Sequence, residues 1–464
     1  MRAARSSHHQ LGIVQPAIVS LAGLAAIMAI FAPTSAAAGG FAIPEIGTRK
    51  TGMGAMIGRP DDLSAIYHNP AGLVLSPGTN IYFNAGLSLP KTNMRARPWA
   101  GSEGYLTEPL QPDGLFAESK PTRAFGVIPM LVASTNILNE NTVAAIAFYV
   151  PNAVGAAFAE DSVLRYHLID SYLVTGFVTG SLAIRLAPWI SVGGGLSLIY
   201  VRIKAERFLF PVLGELNLEA LFGKSSRLKL TGEELTAGFN VGVLLQPTSW
   251  LSIGATVISR SDFDLEGDIE LTLGEDALGA GKTLSGRQKT RLVVPWTFQL
   301  GINADLGRWV EVGAELRYYT YSQFKEQHTT VEGIPLLTEL VSPKDYRDSL
   351  QVSGGVKVRL PQLPALELML GMHFDRTPAP DRTLSAEAPS FNHLGIHGGA
   401  RYRLSRAWRF ALTYAHYFYL QRDVTNSVTL PPANVRASGQ NSIISLIVEV
   451  GFGGPASARR PGQR

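Results

Sequence analysis

The sequence predicts an all-β fold, a 14-stranded antiparallel transmembrane β-barrel with an N-terminal segment inside its lumen. Three observations predict it: an export signal with no later apolar helix, long strands with one apolar and one polar face, and connections that alternate between short and long. Charged residues make up only 17% of the 464 residues, and 47 are Gly. The absence of Cys excludes disulfides, thiolate metal sites and cysteine nucleophiles.

Residues 1–38 have the pattern of a signal peptide, with two early arginines, an apolar core over 18–32 and the small residues 36–38 at the cleavage site. An uncleaved anchor is the alternative, because the apolar stretch over 11–32 is long for such a core. No later run of eighteen apolar residues follows, so a second, helical span is not predicted. The mature chain is therefore expected to be exported.

Strands are indicated by period-two alternation of apolar and polar side chains over 298–306, 310–318 and 350–359. A soluble sandwich shows the same alternation. However, residues 189–204 and 408–418 are longer than the usual five or six. They reach the nine to eleven residues that an oblique crossing of a bilayer needs. The pattern thus favours a sheet between lipid and a polar lumen.

Connections provide the third observation, since very short turns alternate with long polar loops, as in transmembrane barrels. Such a sheet must close on itself, because lipid cannot satisfy its edges. The barrel is assigned to residues 79–452, and a disordered tail to 453–464. Strands are predicted to start near residues 79, 125, 141, 172, 189, 232, 250, 290, 308, 346, 364, 393, 407 and 441, and the longest loops to span roughly 91–124, 152–171, 205–231, 262–289, 322–345, 375–392 and 420–440.

Residues 39–78 do not alternate and are rich in Gly and turn-forming residues. Irregular backbone at membrane depth is tolerated where protein or water encloses it, so the lumen is the expected place for this segment. Asp61 and Asp62 could cap a short helix, which Asn69-Pro70 would end.

Motifs in this segment resemble the N-terminal hatch of the FadL-type family, which also includes aromatic hydrocarbon transporters. They are Asp61-Asp62, followed by Asn69, Pro70, Ala71 and Gly72. Blocks at residues 165–175 and 374–383 also resemble the family, whereas His68 departs from it by replacing an aromatic residue.

The resemblance implies a barrel with an N-terminal luminal hatch in the Gram-negative outer membrane. It implies uptake of hydrophobic small molecules, long-chain fatty acids first, with aromatic hydrocarbons or other lipids as the alternative. Ligand would be captured by outer loops, pass a moving hatch and leave sideways into the outer-membrane lipid. A monomer inserted by the barrel-assembly machinery is implied, without catalysis or cofactors.

Ligand-binding residues are predicted in the apolar outer loop over 205–231, although packing against neighbouring loops is the alternative. A fatty acid carboxylate would need a cation, and five basic residues are candidates, unless each pairs with a luminal carboxylate or holds the hatch. Pro151 in the third strand marks a possible lateral opening, because proline removes a ladder hydrogen bond. The predicted groove residues are Phe208, Leu209, Phe210, Leu218, Leu221 and Phe222, and the carboxylate candidates are Arg165, Arg317, Lys357, Arg359 and Arg401.

Other functions have weaker sequence support. The chain lacks the Gly-x-Ser-x-Gly and His-Glu-x-x-His motifs, and a metal at Asp61, Asp62 and His68 is less favoured than a capped turn. A net charge of only +4 gives no support for nucleic-acid binding. A general diffusion porin would share the barrel, but its lumen would not need a segment of forty residues.

Overall fold

The computed structural model describes most of the chain, and the predicted signal peptide and C-terminal tail lie outside the described residues. No helix in the described part is long and apolar enough to cross a membrane. The described residues are 45–122, 125–213, 216–387 and 389–452.

Fourteen long strands of the described residues form one closed antiparallel sheet, in which each strand pairs with the next along the chain. The first strand also pairs with the last, from Thr79↔Phe452 onwards, which closes the barrel. This confirms the predicted 14-stranded fold. The strands are β1 Thr79–Ala96, β2 Gly126–Asn136, β3 Thr142–Ala157, β4 Asp170–Ala187, β5 Ile190–Phe208, β6 Arg227–Leu245, β7 Leu251–Ile258 continued by Ser261–Thr272, β8 Thr283–Val294 continued by Thr297–Leu306, β9 Val310–Tyr319, β10 Ser349–Leu360, β11 Leu363–Asp375, β12 His393–Arg403, β13 Trp408–Asp423 and β14 Val435–Phe452.

Several strands run well into the regions predicted as loops. Within the predicted loop over 262–289, β7 reaches Thr272 and β8 begins at Thr283. These strand ends pair with each other in register, so the sheet continues past the membrane with polar residues on its exposed side. Smaller elements of the outer loops are the hairpins Val212–Leu213 with Leu216–Asn217 and Glu326–Glu332 with Glu339–Pro343, the helix Glu219–Phe222, and the 3-10 helices Ser102–Gly104, Tyr321–Gln323 and Asp381–Thr383.

The barrel wall separates two environments. On β9, Leu316 is 40% exposed on the outer face, while its neighbours Glu315 and Arg317 are 4% and 2% exposed and point inward. Large exposed apolar side chains cover the outer face of other strands in the same way, as expected of a surface against lipid. Trp189, Trp250 and Trp408 are exposed beside short turns, where aromatic girdles occur in such barrels.

Residues 45–78, named here the luminal segment, are largely buried inside the barrel. Helix α1 (Thr48–Met53) packs against β11, β12 and β13 and ends at Gly54 in the left-handed conformation. Helix α2 (Ala65–His68) leads into the 3-10 helix Pro70–Leu75, which packs against β3, β4, β5 and β6. The segment therefore contacts the inner face of the wall on opposite sides of the barrel.

A row of glycines lets the luminal segment approach the wall closely. Each strand from β5 to β12 contributes one glycine at which an added Cβ would meet the segment. At Gly254 that Cβ would lie 1.8 Å from the carbonyl oxygen of Ile57, and at Gly355 2.1 Å from that of Met53. Side chains at these places would displace the segment. The glycine row consists of Gly193, Gly242, Gly254, Gly301, Gly313, Gly355, Gly371 and Gly399.

Candidate functional site

The hatch-motif residue Asp61 is held by cations of the barrel wall. Its Oδ2 atom lies 3.2 Å from the Nζ of Lys357 and 3.4 Å from an Nη of Arg401. Lys357 also pairs with Glu311 at 2.9 Å, and Arg401 pairs with Glu367 at 2.5 Å. Lys357 and Arg401, two of the five carboxylate candidates, thus already have carboxylate partners and anchor the luminal segment.

Two basic residues of α1 bind carboxylates of β9. The guanidinium of Arg49 pairs with Glu311, and the Nζ of Lys50 lies 2.8 Å from Oε1 of Glu315. The other oxygen of Glu315 accepts hydrogen bonds from the backbone N–H groups of Met56, at 2.8 Å, and Ile57, at 3.1 Å. Buried charges persist where they are paired and hydrogen-bonded, and this network meets that requirement.

The remaining hatch-motif residues shape the segment itself. Asp62 accepts hydrogen bonds from the backbone N–H groups of Ser64, at 2.9 Å, and Arg49, at 3.1 Å. The Nδ2 of Asn69 donates to the carbonyls of Ile57 and Val243, and its Oδ1 accepts from the N–H of Ala71 at 3.2 Å. Pro70 and Gly72 lie in the 3-10 helix that Asn69 caps. The motif therefore joins two turns of the segment to β6.

An apolar cleft of about 590 Å³ opens among the outer loops. Of the predicted groove residues, Leu209 and Phe210 line it. Phe208 instead packs beside Tyr166, with ring centroids 6.2 Å apart. The other three lie in a neighbouring apolar cluster under the loops: Leu218, Leu221 and Phe222. Two of the six predicted groove residues thus line the cleft, and the other four pack nearby without lining it.

Basic groups lie at this cleft together with two carboxylates of its lining, Glu339 and Glu387. Arg207 lines it, and among the described residues its guanidinium has no ion pair or side-chain hydrogen bond. Burial and, to a smaller extent, the charge of Arg207 lower the pKa of His167, another lining residue, to about 4. Burial also lowers the pKa of Lys344, behind the lining, where Glu387 opposes the effect and Arg207 reinforces it. Arg207 is therefore the basic group of the lining that an anionic ligand would pair with.

The other three carboxylate candidates have partners of their own. Arg165 pairs with Glu108 at 2.6 Å, and Arg359 pairs with Glu367 at 2.9 Å. Arg317 is buried, with an Nη atom 3.4 Å from Glu315, but its Nε has no hydrogen-bond partner. Arg317 is consequently one of two candidates with donor capacity left inside the barrel, the other being Arg401, whose Nη1 also has no hydrogen-bond partner.

A small inner cavity of about 50 Å³ lies between the luminal segment and the wall. Arg317 and Tyr67 line it, together with Pro151 of β3. Next to Pro151, the β2–β3 ladder begins at Met130↔Tyr149, and the β3–β4 register shifts between Tyr149 and Asn152. An interior cation, the luminal segment and the irregular part of β3 therefore share one cavity.

These features define a class: a β-barrel membrane protein whose own N-terminal segment occupies its lumen beneath an apolar outer cleft. A family model described as outer membrane protein transport protein (OMPP1/FadL/TodX) matches residues 29–452. The chain belongs to this family, and its place is the outer membrane. The resemblance found in the sequence motifs is thereby confirmed.

Solved structures show the same fold at low sequence identity. A Pseudomonas aeruginosa FadL homologue aligns with a TM-score of 0.76 and 16% identity, covering 89% of this chain and 100% of that chain. The Pseudomonas putida toluene transporter TodX has a TM-score of 0.67 and 16% identity, with 89% and 99% coverage. The Ralstonia pickettii toluene transporter TbuX has a TM-score of 0.63 and 17% identity, with 89% and 99% coverage. No curated protein sequence matches the chain.

The cations of the cleft were not among the residues predicted from sequence. Arg207 directly precedes the predicted Phe208-Leu209-Phe210 stretch, and this adjacency was the available signal. Lys344 and His167 lie in other loops, so only the folded chain brings their side chains near Arg207.

Proposed function

We propose that the protein takes up amphipathic molecules with an apolar chain and an anionic end, long-chain fatty acids first. The observation that carries this proposal is the pair of basic residues, Arg207 and Lys344, beside an apolar cleft. A carboxylate would give the guanidinium of Arg207 the partner that it lacks, with the geometry that such pairs favour. Each buried methylene of the chain would add about 0.8 kcal/mol.

Aromatic hydrocarbons are the second candidate. Aromatic rings surround Phe210, with the centroid of Tyr105 at 4.9 Å and that of Tyr166 at 5.9 Å. Such a cluster suits a flat apolar ligand. A neutral hydrocarbon would, however, leave Arg207 without a partner, and this favours the anionic amphiphile.

The proposed route has three steps. Ligand binds in the outer cleft, then moves to the inner cavity, where Arg317 offers a second cation. The luminal segment acts as a hatch, and its displacement requires the contacts of Asp61 with Lys357 and Arg401 to break. Release then takes place sideways beside Pro151, where proline weakens the ladder. A monomer is sufficient for this route.

Uptake of labelled oleate tests the proposal in cells that lack their own transporter. Wild-type protein, Arg207→Gln and the control Arg287→Gln, an exposed residue on β8, would be compared at matched surface levels. We expect uptake by the wild type and the control, and apparent oleate affinity roughly tenfold lower for Arg207→Gln, because a charged hydrogen bond is lost. Uptake of labelled toluene but not oleate by the assembled wild type would overturn the proposal in favour of hydrocarbons.

A further inference from the structure

Three histidines form a buried chain where the luminal segment meets β11 and β12. The Nδ1 of His373 lies 2.7 Å from the Nε2 of His397, and its Nε2 lies 2.8 Å from the Nε2 of His393. At the ends, the Nδ1 of His397 is 3.0 Å from the carbonyl oxygen of Thr51, and the Nδ1 of His393 is 3.4 Å from that of Phe391. The chain thus runs from α1 to the outer end of β12.

The strand pattern explains why the three rings meet. His393, Gly395 and His397 occupy every second position of β12 and share its inward face. Gly395 pairs directly with His373 of β11. A Cβ on Gly395 would lie 2.1 Å from the Cε1 of His373. The ring of His373 therefore occupies the space above this glycine, between the other two rings.

Counting protons shows that three neutral rings cannot satisfy this chain. Its four contacts each need one N–H donor, because both terminal partners are carbonyl oxygens, yet three neutral imidazoles carry only three N–H groups. A cation between His373 and His397 would remove the shortfall. His397 would then donate to Thr51, His373 to His393, and His393 to Phe391.

A carboxylate lies beside the rings of His373 and His397. Glu45, the first described residue of the luminal segment, is 1% exposed, and its Oε1 has no hydrogen-bond partner. One ligand atom each of Glu45, His373 and His397 lie within 4.8 Å of one another, and no other group of this kind occurs among residues 45–122, 125–213, 216–387 and 389–452. Tetrahedral zinc holds N and O ligands at about 2.0–2.2 Å. The carboxylate must therefore move closer, and the two ring nitrogens, 2.7 Å apart, must separate, both by side-chain rotations.

We propose that Glu45, His373 and His397 bind one divalent transition-metal ion, with zinc as the best match to two imidazoles and one carboxylate. The hydrogen bonds of His397 to Thr51 and of His373 to His393 would orient the two ligand rings, as outer partners of metal-bound histidines do. Since Glu45 belongs to the luminal segment and both histidines to the wall, the ion joins the two. The availability of the metal ion thus determines how firmly the luminal segment is held. The proposal is independent of the transported ligand.

Titration of the untagged, chelator-treated full-length protein in detergent tests this site. Calorimetry with Zn²⁺ and visible absorption with Co²⁺ would be measured for the wild type, Glu45→Gln, His397→Gln and the control His328→Gln, an exposed histidine of the outer hairpin. We expect one ion per chain for the wild type and the control, and affinity at least about 100-fold weaker for the two ligand variants. The wild type should also denature at a higher temperature when loaded.

A variant that fails to assemble would show an unfolded band on electrophoresis without heating. His393→Gln, which leaves all three ligands in place, provides a second measurement with an expected loss of about 10- to 100-fold. The proposal is overturned if assembled wild type binds no stoichiometric ion, or if Glu45→Gln or His397→Gln binds as tightly as the wild type.

Discussion

The Oδ2 of Asp61 lies 3.2 Å from the Nζ of Lys357, and this contact connects the luminal segment to the wall of the barrel. Arg401 approaches the same oxygen atom from the opposite side of β11, at 3.4 Å. Two strands that do not pair with each other, β10 and β12, therefore hold one carboxylate. Because the partners are buried, breaking these contacts would add substantially to the energy of displacing the segment.

Replacing Asp61 by Asn should loosen the luminal segment. The substitution leaves Lys357 and Arg401 with less negative charge, and breaking a buried pair in this way destabilises by about 3–5 kcal/mol. We expect higher single-channel conductance and earlier proteolysis within residues 45–78. Asp268→Asn, which removes an exposed partner of Arg287, is the control and should leave both unchanged. Unaltered conductance of Asp61→Asn would contradict the holding role of this carboxylate.

Replacing Gly254 by Ala should push the luminal segment away from β7. The new methyl group would lie 1.8 Å from the carbonyl oxygen of Ile57, so the backbone of the segment must move. Overpacking of this kind destabilises by about 1–3 kcal/mol, which the midpoint of heat-induced unfolding on gels would register. Gly398→Ala is the matched control, because a Cβ there meets nothing within 4 Å. Equal midpoints for the two variants would show that the segment does not depend on the glycine row.

Replacing Pro151 by Ala should slow the release of ligand. Alanine restores an N–H group to β3, and one additional ladder hydrogen bond would stabilise the closed wall by about 1 kcal/mol, equivalent to roughly fivefold in rate. Oleate uptake at saturating concentration measures this step. Pro90→Ala in β1, opposite Asn441, serves as the control. A saturated uptake rate that is unchanged in Pro151→Ala would argue against lateral exit at this place.

Binding of an anionic amphiphile should weaken at alkaline pH. Burial lowers the pKa of Lys344, so its charge is lost at a lower pH than that of an ordinary lysine. Decanoate affinity, followed by calorimetry, should fall as pH rises through this lowered pKa, and Lys344→Gln should remove the dependence. His167, with its pKa near 4, stays neutral from pH 6 upward and contributes no step. Decanoate affinity that is constant up to pH 10 would contradict a role for Lys344.

The same shift affects stability with a definite sign. The folded state releases the proton of Lys344 more readily than the unfolded state, whose lysine keeps the ordinary pKa of 10.5. The contribution of Lys344 to the free energy of unfolding therefore increases with pH up to that ordinary value. At neutral pH it is unfavourable, and a bound carboxylate would offset it.

The sequence was sufficient to predict the barrel because alternation between two solvents is a local pattern. Residues 310–318 alone show which side chains of β9 meet lipid and which point inward. It could not predict the partners of the inward side chains. Lys357 was predicted as a carboxylate ligand, but its contact with Asp61 depends on how the chain folds across a sequence separation of 296 residues.

The histidine chain shows the same limit. His-x-Gly-x-His over residues 393–397 is visible in the sequence, and period two places both rings on one face. The third ring and Glu45 come from β11 and the luminal segment, so no single window contains the site. For this reason a metal site at these histidines was not predicted from the sequence.

The glycine row also affects which substitutions this barrel can tolerate. At the glycine row the wall has no side chains to interlock with the luminal segment, so directional contacts come from side chains elsewhere on the wall, such as Lys357 and Arg401. Substitutions at those points would change how firmly the segment is held while the barrel keeps its strand number and register. The eight glycines would leave the fit of the segment against the wall unchanged as those side chains vary.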